Sequence, residues 1–349
     1  MSVRRNEIIC FDGTGQNRSQ KTPEEWSNVT LLHDAIATTT PAELIQVRKY
    51  IDGVGTRPGE ELTGGGFGID LDKRIEEAYE FLYQEINNDY ENDYDPHIYI
   101  FGFSRGAYAA RWLASLVQFA GIPKDGVSPV KLMHYHEKNN VDAIAELRNK
   151  GKLWVDVPID FIGVWDTVEF SINPSFGIID IPAIVKKAYH ALAIDEWRSA
   201  FEPTRFNPSE KVTEVWFPGC HTDVGGGYAE RAIANESLWW MIDGAEKAGM
   251  MVDGDAIQKA IDGRSTELKF HDELAGSKFW KGLNAASGIA GKFFRTIKDG
   301  DLLHPSVQMF AANAPGDRQL IPDTCVAWND DVRKQRGIEK AKMMLEALA

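Results

Sequence analysis

The stretch IYIFGFSRGAYAAR, Ile98 to Arg111, constrains the fold of this chain more than any other. An apolar run leads directly into Gly102-Phe103-Ser104-Arg105-Gly106, and a run of small, helix-compatible residues follows. A strand feeding a helix through a tight turn is the unit from which parallel sheets with two covered faces are built. The chain repeats that alternation. Ile8–Phe11, Leu44–Tyr50, His97–Phe103, Phe161–Trp165 and Val212–Phe217 read as strands. Ile75, Ala78, Tyr79, Leu82 and Ile86 recur at helical spacing, predicting a helix over Leu71–Asn87. Further helices are expected over Ala107–Ala120, Glu236–Gly249 and Val332–Leu348, and the glycines of Gly64–Gly68 predict a loop. The expected fold is α/β, a mostly parallel sheet with helices on both faces. Residues 1–250 are assigned to one catalytic domain and residues 251–349 to a helical extension packed on it, a candidate lid.

Polar signals cluster just past the strand ends. Asp12 follows the first strand, Ser104 and Asp166 follow two others, and His221 comes shortly after Phe217. In an open α/β sheet that edge binds ligands. Composition narrows the ligand class. A formal net charge of −14 argues against a nucleic-acid partner. The three cysteines, Cys10, Cys220 and Cys325, form no CxxC pair and support neither a disulfide framework nor a zinc site. No apolar run reaches bilayer-spanning length, and the run Ile8–Phe11 is too short for a secretory signal. A chain made in the cytoplasm is expected, with export by a specialised secretion system as the alternative.

Gly102-x-Ser104-x-Gly106 has a bland reading, a tight turn needing glycine at both flanks. Its place between a strand and a helix favours a nucleophile elbow. A serine nucleophile needs a base, and the base an orienting carboxylate. Asp166 in GVWDTV and His221 in PGCHTDVGGGY supply them in the order Ser, Asp, His, with His304 in DLLHPSV as the rival base. The other histidines are expected to be packed or solvated. An oxyanion hole is expected from the backbone N–H of Arg105 and from Gly13 or Thr14 in the DGTGQN loop. Asp12 is expected to hold that loop, and Asp223 the turn after His221. The two carboxylates would also suit a divalent cation. Loop support is the preferred reading, and no metal or cofactor is assigned.

With these residues in place, the chain resembles the DUF2235 proteins, an α/β-hydrolase group that includes the Tle1-type phospholipase effectors of type VI secretion. The matching stretches are FDGTGQN, SNVTLL, GVGT, GGGFGID, IYIFGFSRGAYAAR, GVWDTV, HALAIDEWRSAFEPT and FPGCHTDVGGGY, in family order. The resemblance implies Ser104 as nucleophile, Asp166 and His221 as its partners, and ester hydrolysis with phospholipid as the substrate class of effector members.

Two other classes compete. An actin- or sugar-kinase-like protein would use DGTG and DVGGGY as phosphate loops, but Ser104 would then have no role. An aspartyl phosphatase is excluded because Cys10 stands where its nucleophilic aspartate belongs. A catalytically silent hydrolase-fold binding module would keep the shell without turnover. Two segments carry their own expectations. His190–Thr204 is expected to be structural, with Asp195 and Arg198 paired on a helix anchored by Leu192 and Trp197. Ser277–Lys298 carries five basic residues, no acidic ones and two apolar groups. It is expected to be a helix near the site mouth, serving as a lid or peripheral membrane contact or packed on the core.

Overall fold

The computed structural model describes residues 2–57, 67–169, 179–262, 264–318 and 321–328. The strands are β1 (Val3–Phe11), β2 (Leu44–Ile51), β3 (Tyr94–Phe103), β4 (Ile122–Pro123), β5 (Leu153–Trp154), β6 (Ile159–Trp165), β7 (Val185–Ala193), β8 (Val212–Phe217), β9 (Leu302–Leu303) and β10 (Val326–Ala327). The helices are α1 (Asn28–Ala35), α2 (Phe67–Glu91), α3 (Arg105–Ala120), α4 (Pro129–Glu137), α5 (Val141–Asn149), α6 (His221–Gly225), α7 (Ala232–Lys247), α8 (Gly254–Asp262), α9 (Lys278–Ala286) and α10 (Ser306–Met309). Among the described residues, eight strands form one sheet in the order β10-β9-β8-β7-β6-β3-β1-β2, with every pairing parallel. The short strands β4 and β5 pair antiparallel outside it.

The apolar runs of the central strands are continuous because both faces of the sheet are covered. Ile9, Phe11, Ile98, Ile100, Ile162 and Val164 pack with α2, α3 and α4 on one face. Their neighbours Ile8, Cys10, Tyr99, Phe101, Phe161 and Trp165 pack with α1, α7 and α8 on the other. This alternation within unbroken apolar sequence is the period of two that a strand imposes.

Strand order reverses at β1. The chain passes from β1 to β2 on one side and then returns to β3 on the other. The crevice between the carboxyl ends of β1 and β3 is therefore a topological switch point. Register brings the strand ends level there: Phe11 pairs with Gly102, Phe103 with Trp165, Trp165 with Ala191, and Ala193 with Phe217. Asp12, Ser104 and Asp166 follow these ends directly.

The mostly parallel α/β sheet is as expected, with several elements longer than the sequence pattern alone indicated. The helix expected from Leu71 runs from Phe67, so Gly68 is helical, while residues 64–66 lie outside the described residues. The helix expected over Val332–Leu348 also lies outside them. β7 went unrecognised because Lys186 and Lys187 interrupt its first half. Residues 251–349, expected as a helical extension, contribute α8, α9 and α10 but also β9, which extends the main sheet beyond β8. Among the described residues no helix is long and apolar enough to cross a membrane.

Candidate active site

Ser104 sits where β3 turns into α3, with φ 59° and ψ −124°. Positive φ is rare for a residue with a side chain and marks a strained, over-determined position. The turn is held from below by the Ser104 N–H donating to the Trp165 carbonyl at 3.0 Å, and the Ser104 carbonyl accepts from the N–H groups of Ala107 and Tyr108. The flanking glycines are required sterically. A Cβ on Gly106 would lie 2.4 Å from the Asp12 carbonyl oxygen, and one on Gly102 would lie 2.4 Å from the Gly106 carbonyl oxygen.

Asp166 follows β6 and is fully buried. Its carboxylate is filled with donors. His221 Nδ1 lies 2.6 Å from Oδ2, and the Ala193 N–H donates to Oδ1 at 2.9 Å. The Arg295 guanidinium completes a two-pronged pair, Nη1 to Oδ1 at 2.6 Å and Nη2 to Oδ2 at 2.8 Å. Burial alone would raise the Asp166 carboxyl; the Arg295 charge and the His221 bond outweigh it and hold the group well below the usual carboxylate range. For His221 burial dominates and lowers the imidazole, against the opposing pull of Asp166. The ring packs against Phe103 at 4.6 Å and edge-on to Phe201 at 4.9 Å. Its backbone N–H points to Glu196 at 3.3 Å.

Ser104 and His221 line one cleft of about 420 Å³. Its apolar wall comes from Phe103, Val168, Phe201, Phe279 and Trp280, and Thr14, Gln16, Arg105, Arg198 and Thr222 add polar groups. His304 is not among the lining residues. Its ring is buried on Phe217 at 4.4 Å, with Nδ1 2.8 Å from the Ser306 hydroxyl.

The DGTGQN loop forms the opposite lip. Asp12 accepts from the Gly13 N–H at 2.7 Å, the Ser27 and Thr30 hydroxyls at 2.8 Å each, and the Tyr50 hydroxyl at 2.7 Å. Burial raises its carboxyl above the usual range. Because the Gly13 N–H is turned to Asp12, it is not free to meet an oxyanion in the cleft. Thr14 lines the cleft, with a buried hydroxyl that has no hydrogen-bond partner among the described residues. The Gly15 N–H goes to the Val54 carbonyl and that of Gln16 to the Gly13 carbonyl, so these two donors are not turned to a phosphate. Asp223 accepts from the N–H groups of Cys220 and His271 and from His271 Nδ1 at 2.6 Å. Both carboxylates are occupied by proton donors.

Two segments depart from expectation. His190–Thr204 is not a helix: it ends β7 and continues as loop with one short turn at Ser199–Phe201. Asp195 pairs with Arg318, while Arg198 pairs with Glu196 through Nε at 2.8 Å and Nη2 at 2.7 Å, and lines the cleft. Ser277–Lys298 is helical only over Lys278–Ala286. Beyond it the chain runs as a strap docked by Asn284, whose amide donates to the Trp197 and Gly291 carbonyls. Of its five basic residues, Arg295 is buried on Asp166, and Lys292 is paired with Asp317 over the Trp197 ring. Arg295 and Glu196 were missed by sequence reasoning. Arg295 has no local motif, and Glu196, though inside HALAIDEWRSAFEPT, meets the His221 backbone only in the folded chain.

A protein of Saccharomyces cerevisiae, the uncharacterized YEL023C, is 27% identical over 251 residues, covering 62% of this chain and 34% of that protein. Similar solved structures include an uncharacterized protein from Pseudomonas aeruginosa (18% identity, TM-score 0.44, covering 72% of this chain and 47% of that one). Another is the Tle1 effector bound to the VgrG spike of the type 6 secretion system (22% identity, TM-score 0.39, covering 65% and 52%). The chain thus spans about a third of the curated relative's length and about half of each solved chain. Residues 5–244 match the family model for the catalytic domain of Tle1-like phospholipase effectors of type VI secretion. With that match covering most of its length, the chain belongs to the Tle1-like catalytic-domain family.

Proposed function

We propose that the protein is a serine esterase that cleaves carboxylic esters of lipids, with Ser104, His221 and Asp166 as its triad. The observation that carries this reading is the buried His221–Asp166 hydrogen bond at a cleft shared with a strained strand-to-helix serine. Asp166 takes Nδ1 and fixes the tautomer, so Nε2 is the basic nitrogen. In the reaction, Ser104 Oγ bonds to the ester carbonyl carbon as its proton passes to His221 Nε2. The C–O bond to the alcohol breaks, and the leaving oxygen takes that proton. Water then attacks the acyl-enzyme by the same route and frees the acid. The backbone N–H groups of Arg105 and Thr14 are the proposed oxyanion donors, worth about 2.7–4 kcal/mol of barrier for one such donor.

A phospholipid substrate suits the lining. Aromatic side chains would take an acyl chain, and the Arg105 and Arg198 guanidiniums a phosphate. The α9 residue Phe279 lines the cleft and is 68% exposed, and Phe294 in the strap is 46% exposed, so membrane contact through these two rings belongs to the proposal. The test is hydrolysis of short p-nitrophenyl esters, phospholipids and lysophospholipids by intact and Ser104→Ala protein. Turnover of phospholipid above the short esters, lost by about 10⁴-fold or more in the variant, is expected. Equal traces of activity in both proteins would favour the catalytically silent binding module.

A further inference from the structure

We propose that Arg295 is a positioning residue of the triad, the group that fixes the rotation and the charge of Asp166. This rests on the triad reading above. Arg295 lies outside the family-matched residues 5–244 and arrives on the strap that follows α9. Its side chain has no solvent exposure. Besides the two bonds to Asp166, it donates through Nη1 to the Ala193 carbonyl at 2.7 Å and through Nη2 to the Phe201 carbonyl.

The geometry explains why an arginine is needed. A carboxylate is free to rotate, and only one orientation presents Oδ2 to His221 Nδ1. A planar guanidinium meeting both oxygens at once locks that rotation, which a lysine, as a point charge, cannot do. The same guanidinium holds Phe201, whose ring stands edge-on to His221 and lines the cleft. One side chain therefore fixes the orienting carboxylate and the wall beside the base.

Its charge has a second effect. Among the described residues, the ionised groups around His221 are Asp166 with Arg295 behind it, Glu196 at its backbone N–H, and Arg198 paired with that Glu196. Arg295 partly cancels Asp166, so the imidazolium gains less from the carboxylate than it would from an unpaired one. The imidazole then stays neutral, and able to accept the serine proton, to lower pH. Removing the charge strengthens the imidazolium and moves the acid limb of the pH–rate profile upward.

The experiment is the second-order rate of Ser104 modification by a fluorophosphonate, followed across pH for the parent, Arg295→Lys and Arg295→Gln proteins. Folding is checked by circular dichroism and thermal melting. Arg295→Gln is expected to react about 10- to 100-fold more slowly, the scale for losing a partner that orients a functional side chain. Its acid limb should move up by about one pH unit. Arg295→Lys should also be slowed, with its acid limb near the parental one. A folded Arg295→Lys protein that reacts at the parental rate overturns the proposal, whatever the glutamine variant does. So does a folded Arg295→Gln protein with an unmoved acid limb. Failure is distinguishable from failure of the triad itself, for in that case the parent does not react at Ser104 or His221→Ala reacts as fast as the parent.

Discussion

Ser104 holds φ 59° and ψ −124°, a conformation in which its Cβ is crowded by its own backbone. Such strain costs on the order of 1–3 kcal/mol and persists because the surroundings over-determine it. Here the determinants are the Trp165 carbonyl below and the first turn of α3 above. Both Ser104→Ala and Ser104→Gly remove the nucleophile, but only glycine also removes the crowding. Against this stands glycine's greater freedom in the unfolded chain, about 0.5–1 kcal/mol. Ser104→Gly is therefore expected to be more stable than Ser104→Ala by about 1 kcal/mol in chemical denaturation. Equal midpoints would mean that the elbow is not strained.

At the scale of elements, α3 and the Asp12 loop approach so closely that no side chain fits between them. A Cβ on Gly106 meets two backbone oxygens, those of Asp12 and Phe11, and neither can swing aside. Gly106→Ala is expected to destabilise by about 1–3 kcal/mol. The control Gly276→Ala, at a position with open space around it, should leave the denaturation midpoint unchanged. If the two midpoints fall together, the packing account of the elbow fails. The elbow was legible in the sequence because everything that makes it lies within a few residues: an apolar strand, two glycines and a small-residue helix. That Ser104, Asp166 and His221 would gather at one edge of the sheet was legible for a related reason, since each directly follows a strand or begins the turn after one. β7 was not, because it carries two lysines. The helix expected over 277–298 is shorter, Lys278–Ala286, because basic residues among aromatics read as one amphipathic helix, whereas Arg295 leaves that pattern and turns inward to the carboxylate that follows β6. A long-range ion pair has no period and no motif.

Across the whole molecule, buried carboxylates on or just after β6 and β8 depend on cationic or histidine partners. Burial would raise Asp160 and Glu214, but His97 with Lys186, and His190 with Arg205, hold them down at about 2. Asp166 is lowered in the same way by Arg295 and His221. A carboxyl whose folded value is depressed contributes stability that is complete above its unfolded value, about 4, and is lost as pH falls through the folded one. Thermal melting temperature is therefore expected to fall steadily from about pH 4 to about pH 2, with the Asp160→Asn protein showing a shallower fall. A melting temperature flat across that window would contradict the assignment. The site itself also draws on the whole chain. Asp12 follows β1, Ser104 β3 and Asp166 β6, His221 opens α6, and Arg295 comes from the far side of α9. The most direct test of their acting together is to map, by peptide mass spectrometry, the residue that a fluorophosphonate modifies in the parent and in His221→Ala. A single adduct is expected on the peptide carrying Ser104 in the parent, with its near-complete loss in His221→Ala. An adduct elsewhere, or one on Ser104 that forms equally fast without His221, would contradict it.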